Sequence, residues 1–173
     1  VVMNTQSSYA TKTDGTLWAW GNNSDRGELG QNNRTHYSSP VQIPGTNWAL
    51  VDARYRGAMA TKTDGTLWMW GNNDGGSMGI PSIGEGYRSS PTQVPGTTWG
   101  TSEKDHIAGG FQTAAAIKTD GTLWTWGNNG DGTLGLNDVV YRSSPTQIPG
   151  TEWDQVTAFG VGTFSAIQRD NTP

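Results

Sequence analysis

Residues 66–71 read T-L-W-M-W-G, two apolar rows interleaved at a spacing of two, which is the period of an extended strand. In such a strand Trp68 and Trp70 lie on one face and Leu67 and Met69 on the other, so both faces need cover. The run before it, Ala58 to Lys62, predicts a partner strand, and the intervening Asp64-Gly65 predicts a tight hairpin turn, since glycine accepts positive φ. A further strand is predicted upstream, near Leu50 to Arg54. After a long glycine-rich loop, Ser90-Pro91 introduces a short outer strand, Thr92 to Val94, and Pro95-Gly96 turns the chain away. Proline has no N–H to offer a neighbouring strand, which suits it to a sheet edge. No segment carries the periodicity of an amphipathic helix.

The same order of elements recurs along the chain. The phrase K-T-D-G-T-L-W-x-W-G-N-N starts at Lys12, Lys62 and Lys118, and only Ala19, Met69 and Thr125 differ between copies. Each copy is followed by S-S-P, at Ser38, Ser89 and Ser143, and then by P-G-T-x-W, ending at Trp48, Trp99 and Trp153. Short antiparallel strands in fours, apolar on both faces and repeated at intervals of 50 and 56 residues, predict an all-β fold of propeller blades stacked face to face around an axis. The expected blades are residues 1–50, 51–106 and 107–155, with 156–173 as the first half of another, about three and a half blades. Positions 19, 69 and 125 then fall in the contact between blades, where either packing or exposure differs from copy to copy. The run A-I-Q-R-D-N-T-P from Ala166 repeats A-I-K-T-D-G-T-L from Ala116 without the tryptophan strand that follows there. The expectation is a portion of a longer chain, its ring closed by further blades or, less readily, by a second subunit.

Composition sharpens this picture. Only 32 % of the 173 residues are hydrophobic, but nine are tryptophan, whose large rings can close a core that has few aliphatics. Twenty-five glycines suit a turn-dense chain rather than long helices. A net charge of −4 with eleven scattered Lys and Arg offers no basic stripe and argues against nucleic acid as a partner. The absence of cysteine removes disulfides, thiolate catalysis and zinc-thiolate sites, and no apolar run is long enough for a transmembrane helix or membrane insertion.

The phrase D-G-T-L-W-A-W-G-N-N, the loops G-E-L-G and G-T-L-G ending at Gly30 and Gly135, and the following S-S-P-V-Q-I resemble the regulator of chromosome condensation repeat family. The resemblance covers essentially the whole chain and implies a propeller, typically of seven blades. Where that family often has His-Thr at the start of the second strand, this chain has Gln6, Arg56, Gln112 and Gly162, so any role resting on that histidine does not transfer. The resemblance implies three kinds of function. The first is a non-enzymatic scaffold for binding a protein or cell-surface macromolecule, extracellular or on a virion surface, in an adhesive or decorating role like that of bacterial and bacteriophage versions of the repeat. The others are an inhibitor of a secreted enzyme and a guanine-nucleotide exchange factor for a small GTPase.

Candidate chemistry is sparse. The loops G-N-N-S-D-R-G, G-N-N-D-G-G-S and G-N-N-G-D-G-T have a faint likeness to calcium loops, but lack the alternating ligands and terminal Glu of an EF-hand and read better as Asx turns. Asp14, Asp64 and Asp120 belong to the hairpin turns, and His36 occupies the loop position of Tyr87 and Tyr141. There is no nucleophile elbow, P-loop or dinucleotide fingerprint, so no catalytic residue, metal or cofactor is expected. Asn22 and Asn33 head short sequons. The tryptophans Trp18, Trp20, Trp68, Trp70, Trp124 and Trp126 could stack on sugars, but their place in a strand covered on both sides makes them core. Departures from the repeat are the better partner-contact candidates: Glu85 and Tyr87 in the run from Ile80, and Glu103, Lys104, Asp105 and His106 in a charged insertion after Trp99.

Overall fold

The computed structural model describes residues 1–102, 106–159 and 162–169. Within them the chain forms antiparallel sheets with consecutive strands side by side. The first holds β1 (Val2–Met3), β2 (Ser7–Thr11), β3 (Leu17–Gly21) and β4 (Tyr37–Gln42). The second holds β5 (Trp48–Arg54), β6 (Gly57–Lys62), β7 (Leu67–Asn72) and β8 (Tyr87–Gln93). The third holds β9 (Ile107–Gly109), β10 (Thr113–Ile117), β11 (Leu123–Gly127) and β12 (Arg142–Gln147), and β13 (Trp153–Phe159) pairs with β14 (Thr163–Gln168) alone. This is the expected all-β architecture of about three and a half blades. Strands β1, β5, β9 and β13 sit next to one another on the inside, and β4, β8 and β12 form the partly exposed rim.

Two strands start at least two residues earlier than read in the sequence, and the other limits agree to within a residue. Strand β8 begins at Tyr87 rather than Thr92, because a bulge between Met69 and Gly71 shifts the register and lets Arg88 and Tyr87 pair with Gly71 and Asn72. Strand β5 begins at Trp48 rather than Leu50, since Trp48 pairs with Lys62 across a second bulge.

The repeated phrase is one hydrogen-bonded unit. In the second copy the Gly65 N–H donates to the Lys62 carbonyl and the Lys62 N–H to the Thr66 carbonyl, both at 2.9 Å, closing a three-residue loop with Gly65 at φ 79°. The Asp64 carboxylate accepts the Thr66 N–H at 3.0 Å and its hydroxyl at 2.6 Å, and the Thr66 Oγ1 accepts the Trp68 indole N–H at 2.8 Å. The Lys62 ammonium lies 4.8 Å from the Trp48 ring and 4.7 Å from Trp68, a cation held against two aromatic faces. Asp14, Thr16 and Trp18 repeat this chain of bonds, as do Asp120, Thr122 and Trp124. Substituting any one of these residues therefore disturbs a turn, a strand and an indole together.

In the second and third phrases the second tryptophan joins one blade to the blade before it. Trp70 is fully buried, donates its indole N–H to the Glu28 carbonyl at 2.7 Å, and packs edge-on against Tyr9 and Trp48 at centroid distances of 6.1 and 6.2 Å. Trp126 does the same one blade on, donating to the Ser77 carbonyl at 3.1 Å. Each ring lies on a glycine: a Cβ on Gly30 would meet the Trp70 Nε1 at 3.2 Å, and one on Gly79 would meet the Trp126 Nε1 at 2.7 Å. On the opposite strand face, Ala19, Met69 and Thr125 are all buried, so their variation is one of packing and not of exposure. Met69 packs with Ala114 and Ala116 of the next blade, whereas Thr125 turns its hydroxyl to the Leu134 carbonyl at 2.9 Å.

Trp20 and Trp70 share a motif but not an environment: Trp20 is half-buried and has no acceptor of this kind among the described residues. Trp70→Ala should therefore cost about 3–5 kcal/mol in urea denaturation and Trp20→Ala well under half of that, a difference that equal losses would refute. A pH titration tests the turns. The Thr hydroxyl, then the Thr backbone N–H, hold the carboxyls of Asp14, Asp64 and Asp120 below their ordinary value of 3.8. A depressed folded pKa contributes stability above the unfolded value that is lost as pH falls through the folded one. Replacing all three by Asn should lower Tm at neutral pH and flatten its fall below about pH 4.

Candidate functional site

The loop between β7 and β8 is built around one buried asparagine. The Asn73 Oδ1 accepts the Met78 N–H at 2.8 Å and its Nδ2 donates to the Gly84 carbonyl, holding 3-10 turns at Asp74–Gly76 and Pro81–Ile83. Asn23 and Asn129 perform the same task, accepting from Leu29 and Leu134 and donating to the carbonyls of Asn33 and Asp138. These asparagines of the G-N-N loops are spent on backbone partners, as Asx-type staples are. His36 is likewise a loop residue, its Nδ1 accepting the Asn23 N–H at 3.2 Å.

The loop stands beside the rim of the following blade and leaves a groove of about 350 Å³. Ile80, Pro81 and Glu85 line one side, Tyr141 and Ser143 the other. Glu85 and Tyr87 are both exposed, but only Glu85 lines the groove. The Arg88 guanidinium, donating to the Tyr87 and Ile83 carbonyls, ties the loop to β8. Of the charged insertion, Glu103, Lys104 and Asp105 lie outside the described residues. His106 lines a separate cleft of about 280 Å³ with Lys118, Trp153 and Arg169, and its Nδ1 is buried with no partner among the described residues. The structure thus places His106 apart from Glu85 and Tyr87, with no lining residue shared between groove and cleft. Of the six tryptophans named above, Trp70 and Trp126 are fully buried and Trp18, Trp20, Trp68 and Trp124 are half-buried.

The strongest surface feature is one the sequence reading passed over. Val139, Val140 and Tyr141 are exposed to 62, 59 and 55 %, consecutive apolar side chains beside the groove. Their backbone is nonetheless fixed. The Asp138 carboxylate accepts the Val140 N–H at 2.9 Å and the Arg142 Nη2 at 2.5 Å, and the Arg142 Nη1 donates to the Val140 carbonyl at 2.8 Å. The Val140 N–H, then Arg142, hold the Asp138 carboxyl below its ordinary range. A comparison between copies contains the signal, because Arg34-Thr35 and Glu85-Gly86 stand where Val139-Val140 stand.

Arg54 was also not anticipated inside the protein. It is fully buried between blades and donates to the Asn72 carbonyl at 3.2 Å and the Ser77 hydroxyl at 2.6 Å, and burial brings its pKa down to about 10. Room for it exists because Gly109 faces it, where a Cβ would come within 2.6 Å of the Arg54 Cβ. Tyr9 is buried too, and that burial followed by the charge of Glu28 pushes its hydroxyl pKa up. Both groups are absorbed in blade contacts rather than turned toward a cavity. Among the described residues no group of three His, Asp or Glu side chains converges as metal ligands do.

Comparison with known proteins agrees with this architecture. The family profile described as the regulator of chromosome condensation (RCC1) repeat matches residues 14–52 and 120–166, and a second profile of the same description matches 105–133. Among solved structures, Prp20p from Saccharomyces cerevisiae superposes with a TM-score of 0.77 at 19 % identity over 98 % of this chain. That structure was presented with the binding properties of Prp20p to Gsp1p and histones. Human WBSCR16 gives 0.77 at 22 % identity over 95 % of the chain. Yeast RCC1 (Prp20) in its complex with Kap60 gives 0.77 at 19 % identity over 98 %. This chain spans only 43, 44 and 42 % of those three proteins, and at such identities the likeness concerns the fold. With its phrase matched by the profiles and its blades superposing on these propellers, the chain belongs to the regulator of chromosome condensation repeat family.

Proposed function

We propose that this chain is a non-enzymatic propeller scaffold that binds a protein partner across the rim between its second and third blades, in a surface-displayed, adhesive or virion-associated setting. The observation that carries this reading is the run Val139-Val140-Tyr141, rigidly held yet exposed beside the Glu85 groove. Keeping contiguous apolar side chains in water is costly, and monomeric proteins seldom do so except at a contact surface. An aromatic anchor between aliphatics and a carboxylate suits the centre of a protein interface, where Tyr is enriched. Association with proteins also accords with Prp20p and its binding to Gsp1p, histones and Kap60. The near-identical Gly-, Thr- and Asn-rich repeats resemble bacterial and bacteriophage versions of the family, and that resemblance is what speaks for a setting outside the cytoplasm.

The test is a comparison of Val140→Asp and Tyr141→Ser with the unaltered chain, measuring affinity for a partner recovered on the immobilised protein. Each variant should keep its Tm and bind about thirtyfold more weakly, as loss of a central anchor of about 2 kcal/mol requires. Unchanged affinity in both variants would remove the rim from the interface.

A further inference from the structure

The joint between the second and third blades lacks a bond that the joint before it has. Between the first two blades the loop after β3 packs on β8. A Cβ on Gly27 would meet the Ser89 Cα at 2.5 Å, and the Asn32 N–H donates to the Ser89 carbonyl at 2.6 Å. The loop after β7 packs on β12 in the same way, since a Cβ on Gly76 would meet the Ser143 Cα at 2.8 Å. Counted from Gly30 and Gly79, the glycines under the two indoles, Pro81 stands where Asn32 stands, and proline has no N–H to give. No other residue of that loop donates to the Ser143 carbonyl among the described residues. Ser89 is accordingly half-buried and Ser143 exposed, and Pro81 and Ser143 face each other across the groove of about 350 Å³. Both walls belong to complete four-stranded sheets.

Glu85 is the one charged side chain lining this groove, and it has no hydrogen-bond or ion-pair partner among the described residues. The neighbouring cations are engaged elsewhere, Arg88 on the Tyr87 and Ile83 carbonyls and Arg142 on Asp138. We infer that the groove takes an extended peptide segment of the protein partner, which gives the missing N–H to the Ser143 carbonyl and sets a Lys or Arg side chain against Glu85. This deepens the reading of the rim as a protein-binding surface and rests on it. The segment is extended because a helix has already spent most of its N–H groups, whereas an extended chain offers them outward. Ile80, Pro81 and Tyr141 supply an apolar bed for the methylene stem of a long basic side chain. An acidic segment would bring like charge to Glu85 and is rejected.

The ligand tested is a positional-scanning library of capped hexapeptides, and its best binder is titrated calorimetrically against the 173-residue chain. The expected binder carries Lys or Arg at one position. Glu85→Gln in the protein, or Glu in place of that basic residue, should each weaken it at least about tenfold, and so should N-methylation of one backbone amide. Replacing residues 80–86 by Q-N-N-R-T, the sequence of residues 31–35, restores the sibling N–H and removes Glu85. That variant should lose peptide binding with Tm unchanged or raised. Should it fail to fold, the peptide substitutions still decide, since they leave the protein untouched. A library without a basic preference, full affinity in every singly N-methylated peptide, or no binding at all would overturn the inference. Val140→Asp separates the two failures: if it weakens the partner while the peptides give a negative result, the rim surface stands and the groove assignment falls.

Discussion

Everything in this fold hangs on an indole lying flat against a glycine. A buried Trp N–H must find an acceptor, and the carbonyls of Glu28 and Ser77 serve because they sit in loops, outside the sheet ladders that occupy most other carbonyls. Gly30 and Gly79 let the ring approach closely, and their positive φ turns the loop under it. Since the seat belongs to a loop of one blade and the ring to a strand of the next, this contact fixes how neighbouring blades face each other. The spacing of the inner strands and the width of the rim groove both follow from that angle.

The repeated phrase is so uniform because its parts answer two demands at once. Asp, Thr and the first tryptophan stabilise the hairpin locally, and Lys caps the ring from above. The second tryptophan, two residues on, reaches out to the neighbouring blade. A change at the turn would therefore be felt at the interface, which leaves little room for drift except at positions 19, 69 and 125, where the cross-strand partners differ in size: Tyr9 opposite Ala19, Met59 opposite Met69 and Ala115 opposite Thr125.

Strand order and face assignment were readable from the sequence because a period of two over T-L-W-M-W-G leaves no other arrangement once the glycines exclude helix. The limits of β5 and β8 were not, since bulges depend on partner strands rather than on local spacing. Arg54 escaped because its cavity is created by the smallness of Gly109, distant in sequence. Val139 to Tyr141 were legible in principle: their polarity breaks from the sibling loops, but the insertions nearby drew attention through length and charge.

Each unit of about fifty residues bears both halves of the joint, a tryptophan that reaches backward and a glycine seat that faces forward. Genetically, such a module is interchangeable. Unequal recombination within the nearly identical phrases would add or delete a whole blade while leaving every surviving joint chemically unchanged. A lineage using this repeat can therefore alter the number of its blades in single steps, and the loops at the rim can diversify without disturbing how the blades meet.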